Sequence, residues 1–320
     1  MKKRILAVLI ATALAISVTG CAGNATSSSD STSASSVAES SDTSTQTSAD
    51  ASSEDESKNE NSQEESKDLE ANYTKYTLDG DLTQHMIDMS RLNEGNKVRL
   101  ANVIKKLKNG EEVTVGFIGG SITQGTSAGN DLCYAKLTAD WLQKTYSNAK
   151  INYVNAGIGA TGSYIGVHRV ENDLLSKKPD LVFVEFSVND TTENTERNKK
   201  SYDGLLRTIW KSSTNPAIIT IATTQEDGTS FQDQHAEIVK HYDLPMISYR
   251  NTILDTIKHG DIVWKDISDD NIHPNVPGHK IVSQLLQAYI SDVDKDVDNI
   301  SGSESDFTTP ATDAPIENGS

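Results

Sequence analysis

The chain has 320 residues, with 29 lysines and arginines against 46 aspartates and glutamates, and a formal net charge of −17. A surface this acidic repels phosphate backbones, which disfavours a nucleic-acid partner. Of two cysteines, Cys21 falls in a leader-like segment, so no disulfide framework exists; seven histidines without CxxC, HExxH or an Asp-rich calcium loop show no metal-ligand spacing, and no metal or other cofactor is expected.

Residues 1–20 read as a signal peptide: MKKR is a basic region, ILAVLIATALAIS an apolar one, and VTGC ends it with small residues before Cys21. The apolar run is too short to span a bilayer comfortably. The pattern resembles the lipobox of bacterial lipoproteins, which implies a lipidated Cys21 and a protein held at the extracellular face of a bacterial cell membrane. The alternative is an ordinary secretory signal, leaving Cys21 as a free thiol and the chain secreted. Residues 21–70 are rich in serine, threonine and acids and almost free of large apolar side chains. Such a segment cannot offset the entropy of ordering itself, and is expected to act as a tether reaching roughly 40 Å.

Residues 71–296 have ordinary globular composition and length enough for one domain with a sizeable core. In chain order, RLANVIKKLKNG predicts a helix, VTVGFIGG a strand, LCYAKLTADWLQKTYS a helix, INYVNAG a strand and SYIGVHRVENDLLSKK a helix. LVFVEFSV then predicts a third strand, KSYDGLLRTIWKSS a helix, AIITIATT a strand, FQDQHAEIVKHYD a helix and LPMISY a fifth strand, before GHKIVSQLLQAYISDV closes the domain as a helix. Alternation of this kind with continuous apolar strands indicates an α/β fold with a parallel sheet covered on both faces. Residues 297–320 resemble the tether in composition and are expected to be an unfolded tail. Cys133, in an apolar helical pattern, reads as a small buried hydrophobe.

Ligands of such sheets bind beyond the carboxyl ends of the strands. The residues there are Gly119-Gly120-Ser121, then Asn155 to Ala160, then Ser187-Val188-Asn189-Asp190, then Thr223-Thr224-Gln225; DDNIHP, with Asp270 and His273, precedes the last helix. Gly120 and Gly125 have the spacing of a phosphate loop, but Thr126 stands where its lysine should be, which argues against a nucleotide. Acyl transfer fits better. A serine hydroxyl needs a base and a group that orients the base. His273 can be that base, with Asp270 three residues earlier in the same loop to accept from the other ring nitrogen. Backbone N–H groups at Ser121 and around Gly159 and Ala160, with the Asn189 amide, can face a developing oxyanion. Taken alone, Ser121 could cap a helix, Asn189 and Asp190 could be turn residues, and Asp270 and His273 ordinary loop residues; their joint appearance on one edge carries the reading. His279 is expected to open the last helix, His235 and His241 to lie on a helix surface, His168 and Arg169 to be structural, Trp141 and Trp210 to be core, and Trp264 to line a cleft.

Together GGSIT, NAGIGATGS, FSVND and DNIHP resemble the four blocks of the SGNH, or GDSL-like, hydrolase superfamily, in order, from about Val113 to Leu286. The resemblance implies a flavodoxin-like three-layer sandwich with about five parallel strands, and a serine esterase with Ser121 as nucleophile, His273 as general base and Asp270 as its partner. Ser121 N–H, the second-block backbone at Gly159 or Ala160, and Asn189 would hold the oxyanion. Two positions depart from the usual pattern: Gly120 replaces an Asp, a variant similar to the GGSIT subset among bacterial carbohydrate esterases, and Ala160 replaces the usual second-block glycine. The implied partner is an acylated polysaccharide or small ester, with O-acetyl groups on polysaccharide favoured. A lipase, thioesterase or arylesterase on the same fold, or an inactive glycan-binding lipoprotein, are the alternatives. About 40 structured residues before the first strand are too few for the separate N-terminal β-domain of some carbohydrate esterases.

Overall fold

The computed structural model describes residues 73–192 and 194–317. The signal peptide expected over 1–20, Cys21 with its lipid, and the tether over 21–70 lie outside the described residues. In chain order the elements are α1 (Gln84–Ser90), β1 (Arg91–Asn93), α2 (Val98–Lys108), β2 (Glu112–Gly119), α3 (Ser121–Gln124), α4 (Tyr134–Thr145), β3 (Lys150–Gly157) and α5 (Ser163–Asp173). They continue with β4 (Leu181–Glu185), α6 (Thr195–Trp210), β5 (Ala217–Ala222), α7 (Gln232–His241), β6 (Met246–Ser248), α8 (Tyr249–Lys258), α9 (Trp264–Ile267) and α10 (Val276–Lys295).

The five expected strands form a parallel sheet, and a sixth, β1, adds to its edge, giving the order β1-β6-β5-β4-β2-β3 with β1 antiparallel to β6. At three residues, β1 is too short to show a period in the sequence. The five parallel strands follow the flavodoxin-like order, and β2 sits where that order reverses, with β3 on one side and β4 on the other. The expected third strand runs to Val188, but β4 stops at Glu185 and the chain passes into a 3₁₀ turn at Asn189–Thr191.

Alternation along the strands fills both faces. Val113, Val115, Phe117, Phe183 and Ile219 pack with Leu100 and Ile104 of α2, Leu142 of α4 and Leu285 of α10. Ile118, Val182, Val184 and Ile218 pack with Val167 of α5, Leu205 of α6 and Ile238 of α7. Phe117 and Phe183, on neighbouring strands, stack with ring centroids 4.6 Å apart; cutting either to alanine is a change of the kind that costs about 3–5 kcal/mol. Cys133 is fully buried in the first of these faces, as expected. Local caps fix helix starts: Asn275 accepts from Gly278 N–H with Pro277 in the first turn of α10, and Ser248 accepts from Asn251 N–H at α8.

The tail departs from its expectation. Residues 297–317 are packed, not free: the Phe307 ring stacks on Trp210 and on Tyr242, at 4.5 and 3.9 Å. Thr312 N–H donates to Asp203, Ile316 N–H to the Lys200 carbonyl, and Glu317 pairs with Arg207. Composition misses this because one buried aromatic and hydrogen bonds between side chains of the domain and the segment's backbone hold it, and neither needs an apolar-rich sequence.

Candidate active site

Ser121 is the first residue of α3, directly after β2 at the point where strand order reverses. Its Oγ lies 2.9 Å from His273 Nε2, and His273 Nδ1 lies 2.8 Å from Asp270 Oδ2. Two residues 152 positions apart in sequence are thus within hydrogen-bond reach. The other carboxylate oxygen, Asp270 Oδ1, accepts from the backbone N–H groups of Ile272 and His273, at 2.7 and 2.6 Å. Partial burial tends to raise the Asp270 pKa, but the His273 N–H, the His273 ring and the Ile272 N–H outweigh it and hold the carboxyl below its ordinary value. An ionised Asp270 fixes the imidazole with its proton on Nδ1 and leaves Nε2 to accept from the serine.

The loop is braced from behind. Trp264 Nε1 donates to the Asp270 carbonyl at 2.7 Å, and the Ser268 hydroxyl lies 2.7 and 2.6 Å from the Asp270 and His273 carbonyls. Ser268 also bridges to Pro274. Trp264 is therefore a buried brace and not the cleft-lining residue expected, because its indole N–H is spent inside the protein.

Asn189 stands against Gly120, next to Ser121. A Cβ on residue 120 would overlap Asn189 Oδ1, which gives a physical reason for glycine at a position where the superfamily pattern has Asp. The Asn189 side chain makes no hydrogen bond among the described residues, so its Nδ2 is open to a ligand. Gly159 is different: its N–H already donates to Gln124 Oε1 at 2.9 Å. That removes Gly159 from the expected set of oxyanion donors and leaves Ala160, whose N–H has no acceptor among the described residues. Ala160 has φ +58°, in the left-handed region, where a Cβ costs roughly 1–2 kcal/mol.

Three side chains that the sequence did not assign to this site hold it together. Arg169, on α5, donates to the carbonyls of Ala156 and Gly119 at 2.6 and 3.0 Å, clamping the ends of β3 and β2. Asp190, fully buried, accepts from Ser163 N–H at 2.7 Å and pairs with His235 at 2.9 Å. His235 was expected on a helix surface; it is fully buried and stacked on Tyr202 at 3.6 Å. Glu185, at the end of β4, contacts Thr223 Oγ1 at 2.8 Å and Thr123 Oγ1 at 3.4 Å, and Thr123 bonds Tyr134. Burial drives its pKa up to about 7, against the opposing hydrogen bonds. A charged residue inside a continuous apolar strand was the available signal for Glu185. His279 lies in the first turns of α10 and accepts from Tyr134 N–H; burial pushes it down to about 4, so it is a neutral core residue.

Two open polar grooves adjoin these residues. One, of about 430 Å³, is lined by Gln124, Asn130, Tyr153, Asn155 and Gly157, starting from the helix that carries Ser121. The other, of about 220 Å³, is lined by Gln225, Glu226, Asp227 and Asn271, beside Asp270.

Known proteins can be set beside this geometry. Residues 117–281 match the GDSL-like Lipase/Acylhydrolase family. The crystal structure of a two-domain esterase (CEX) active on acetylated mannans is 38% identical, with a TM-score of 0.68, over 71% of this chain and 61% of that one. The same esterase co-crystallized with mannopentaose gives 38% identity and a TM-score of 0.66, over 71% and 60%. An acetylxylan esterase, Axe2 from Geobacillus stearothermophilus, gives 20% identity and a TM-score of 0.47, over 56% and 94%. No curated protein sequence matches the chain. The chain spans about three-fifths of the length of the mannan-active esterase it resembles. With the family match running over half its length and β2 feeding a serine at the reversal point, the chain belongs to the GDSL-like lipase/acylhydrolase family.

Proposed function

We propose that the chain is a surface-tethered serine esterase that removes O-acetyl groups from polysaccharide through an acyl-enzyme. The observation that carries the reading is the unbroken line from Asp270 through His273 to Ser121, with contacts of 2.8 and 2.9 Å. Ser121 Oγ attacks the ester carbonyl while its proton passes to His273 Nε2, and Asp270 stabilises the imidazolium. The tetrahedral oxyanion is held by Ser121 N–H, Ala160 N–H and Asn189 Nδ2. Its collapse breaks the bond to the sugar oxygen, which takes the proton back from Nε2. Water then attacks the acyl-enzyme with the same histidine as base, releasing acetate and restoring Ser121.

Two observations support a sugar as the alcohol. Both grooves are lined by amide, hydroxyl and carboxylate side chains, which suit hydroxyl-rich ligands better than acyl chains. The 38% identical esterase is described as active on acetylated mannans, which supports an acetylated glycan here. The basic–apolar–small–Cys order of residues 1–21 supports a lipid at Cys21 and a position on the extracellular face of a bacterial membrane. Detergent partitioning that disappears in Cys21→Ala would establish the anchor.

The decisive measurement is acetate release from a panel of acetylated mannans, xylans and p-nitrophenyl acetate by wild type and Ser121→Ala. Release by the wild type and a drop of about 10⁴–10⁶ in kcat for the variant is expected. Equal release by both proteins would remove Ser121 from the role of nucleophile.

A further inference from the structure

A second set of coordinating side chains lies away from the catalytic edge. His85 on α1, with Asp255 on α8 and His259 at the C-cap of that helix, each offer one ligand atom, and these atoms lie within 4.8 Å of one another. We propose that His85, Asp255 and His259 form a site for one first-row divalent cation of the zinc type, which fastens the segment entering the domain to α8.

The ligand chemistry fits such an ion. Two imidazole nitrogens and one carboxylate oxygen are a common protein set for zinc and its neighbours, with water taking a remaining position. Asp255 and His259 are four residues apart and so lie on one helix face. His85 comes from 170 residues earlier in the chain. His259 Nδ1 stands 3.3 Å from Asp255 Oδ2. Metal–ligand bonds of about 2.0–2.1 Å in a tetrahedron place ligand atoms roughly 3.3 Å apart, so this spacing already suits an ion. His85 Nε2 is nearer, at 2.5 Å from Asp255 Oδ2, a gap that rotation of the short Asp255 side chain widens. His259 Nδ1 also lies 3.0 Å from the Asp255 carbonyl, a contact that ligation replaces, with the ring proton moving to Nε2.

The surroundings fit a held site. The His85 side chain is 3% exposed and His259 22%, so the cluster is walled on one side and open to solvent on the other. Tyr73 stacks on the His259 ring at 4.2 Å and meets the His85 ring edge-on at 5.4 Å, fixing both imidazole planes. Its place in the fold makes the site a fastening and not part of the esterase chemistry. Helix α8 starts at Tyr249, at the carboxyl end of β6, and runs back along the sheet. At 1.5 Å per residue, Asp255 and His259 are about 9–15 Å along the helix from that edge.

The test uses the untagged full chain, stripped with EDTA and dialysed, and does not read esterase activity, so it stands or falls apart from the proposed function. Zinc chloride followed by calorimetry is expected to bind one ion per chain at micromolar strength or better, and to raise Tm by about 5–10 °C at saturation. Cobalt chloride is expected to give the visible absorption bands of a nitrogen- and oxygen-ligated ion. His259→Ala, at a partly exposed position, and the more conservative His85→Gln should each lose the bands and most of the Tm rise. A wild type that binds no zinc at about 100 µM overturns the site, and so does binding that both variants retain in full.

Discussion

Asp270–His273 and Asp190–His235 are the same chemical pair at nearly the same separation, 2.8 and 2.9 Å, in contrasting places. The first is local, three residues apart, with the Asp270 side chain 48% and the His273 side chain 20% exposed. Its free ring nitrogen faces a serine hydroxyl. The second joins residues 45 apart, is fully buried, and spends its remaining carboxylate oxygen on Ser163 N–H. Residue identity therefore does not separate a candidate proton-transfer pair from a structural strut. Exposure and the third partner do: one pair ends on a hydroxyl at an open cleft, the other on backbone and a Tyr202 ring.

The contrast can be broken by making one conservative change in each pair. Asp270→Asn should lower kcat by about 10³–10⁴, since the amide no longer fixes the imidazole tautomer, while leaving Tm nearly unchanged. Asp190→Asn should do the reverse, with about 3 kcal/mol lost in denaturant unfolding and a smaller fall in kcat through loosening of Asn189 next to it. If the two variants gave the same profile, the division of labour would be wrong. Asn189→Ala, between the two pairs, should cost about 10²–10³ in kcat with little change in KM for p-nitrophenyl acetate.

Glu185 sharpens the same point with a third carboxyl, fully buried. Its folded pKa is raised to about 7, above its usual 4.5. Its contribution to stability is therefore fully present below pH 4.5 and lost as pH rises through about 7, because the unfolded chain ionises first. Glu185→Gln should flatten the stability profile across that window by about 3 kcal/mol, read from urea midpoints at several pH values. Asp270 has the opposite sign: its depressed pKa makes its contribution present above the ordinary carboxylate value and lost as pH falls through the folded one. The smallest effect should come from Ala160→Gly, which touches neither pair. Relief of the left-handed strain, less the added unfolded-chain entropy, predicts a gain of about 0.5–1 kcal/mol with kcat nearly unchanged.

The strand–helix alternation, the parallel sheet and the edge that carries the site were legible because buried parallel strands need continuous apolar runs, and turns after them need glycine and small polar residues. Ser121, Asn189, Asp270 and His273 could be nominated for the same reason: they sit just past those runs, and the last two share one loop. The struts, and the choice between Gly159 and Ala160 as donor, could not be read in this way. The N–H of Gly159 is taken by Gln124, Arg169 is spent on two strand ends, and Phe307 draws a polar tail onto α6 and α7. The His85, Asp255 and His259 cluster is of the same kind, since only the packing of α1 on α8 brings its first member to the other two. Local pattern fixes which face of an element is apolar and where the chain turns. Which polar group spends its hydrogen bonds on which partner depends on contacts between distant segments, and those exist only once the sheet and its two helical layers have closed.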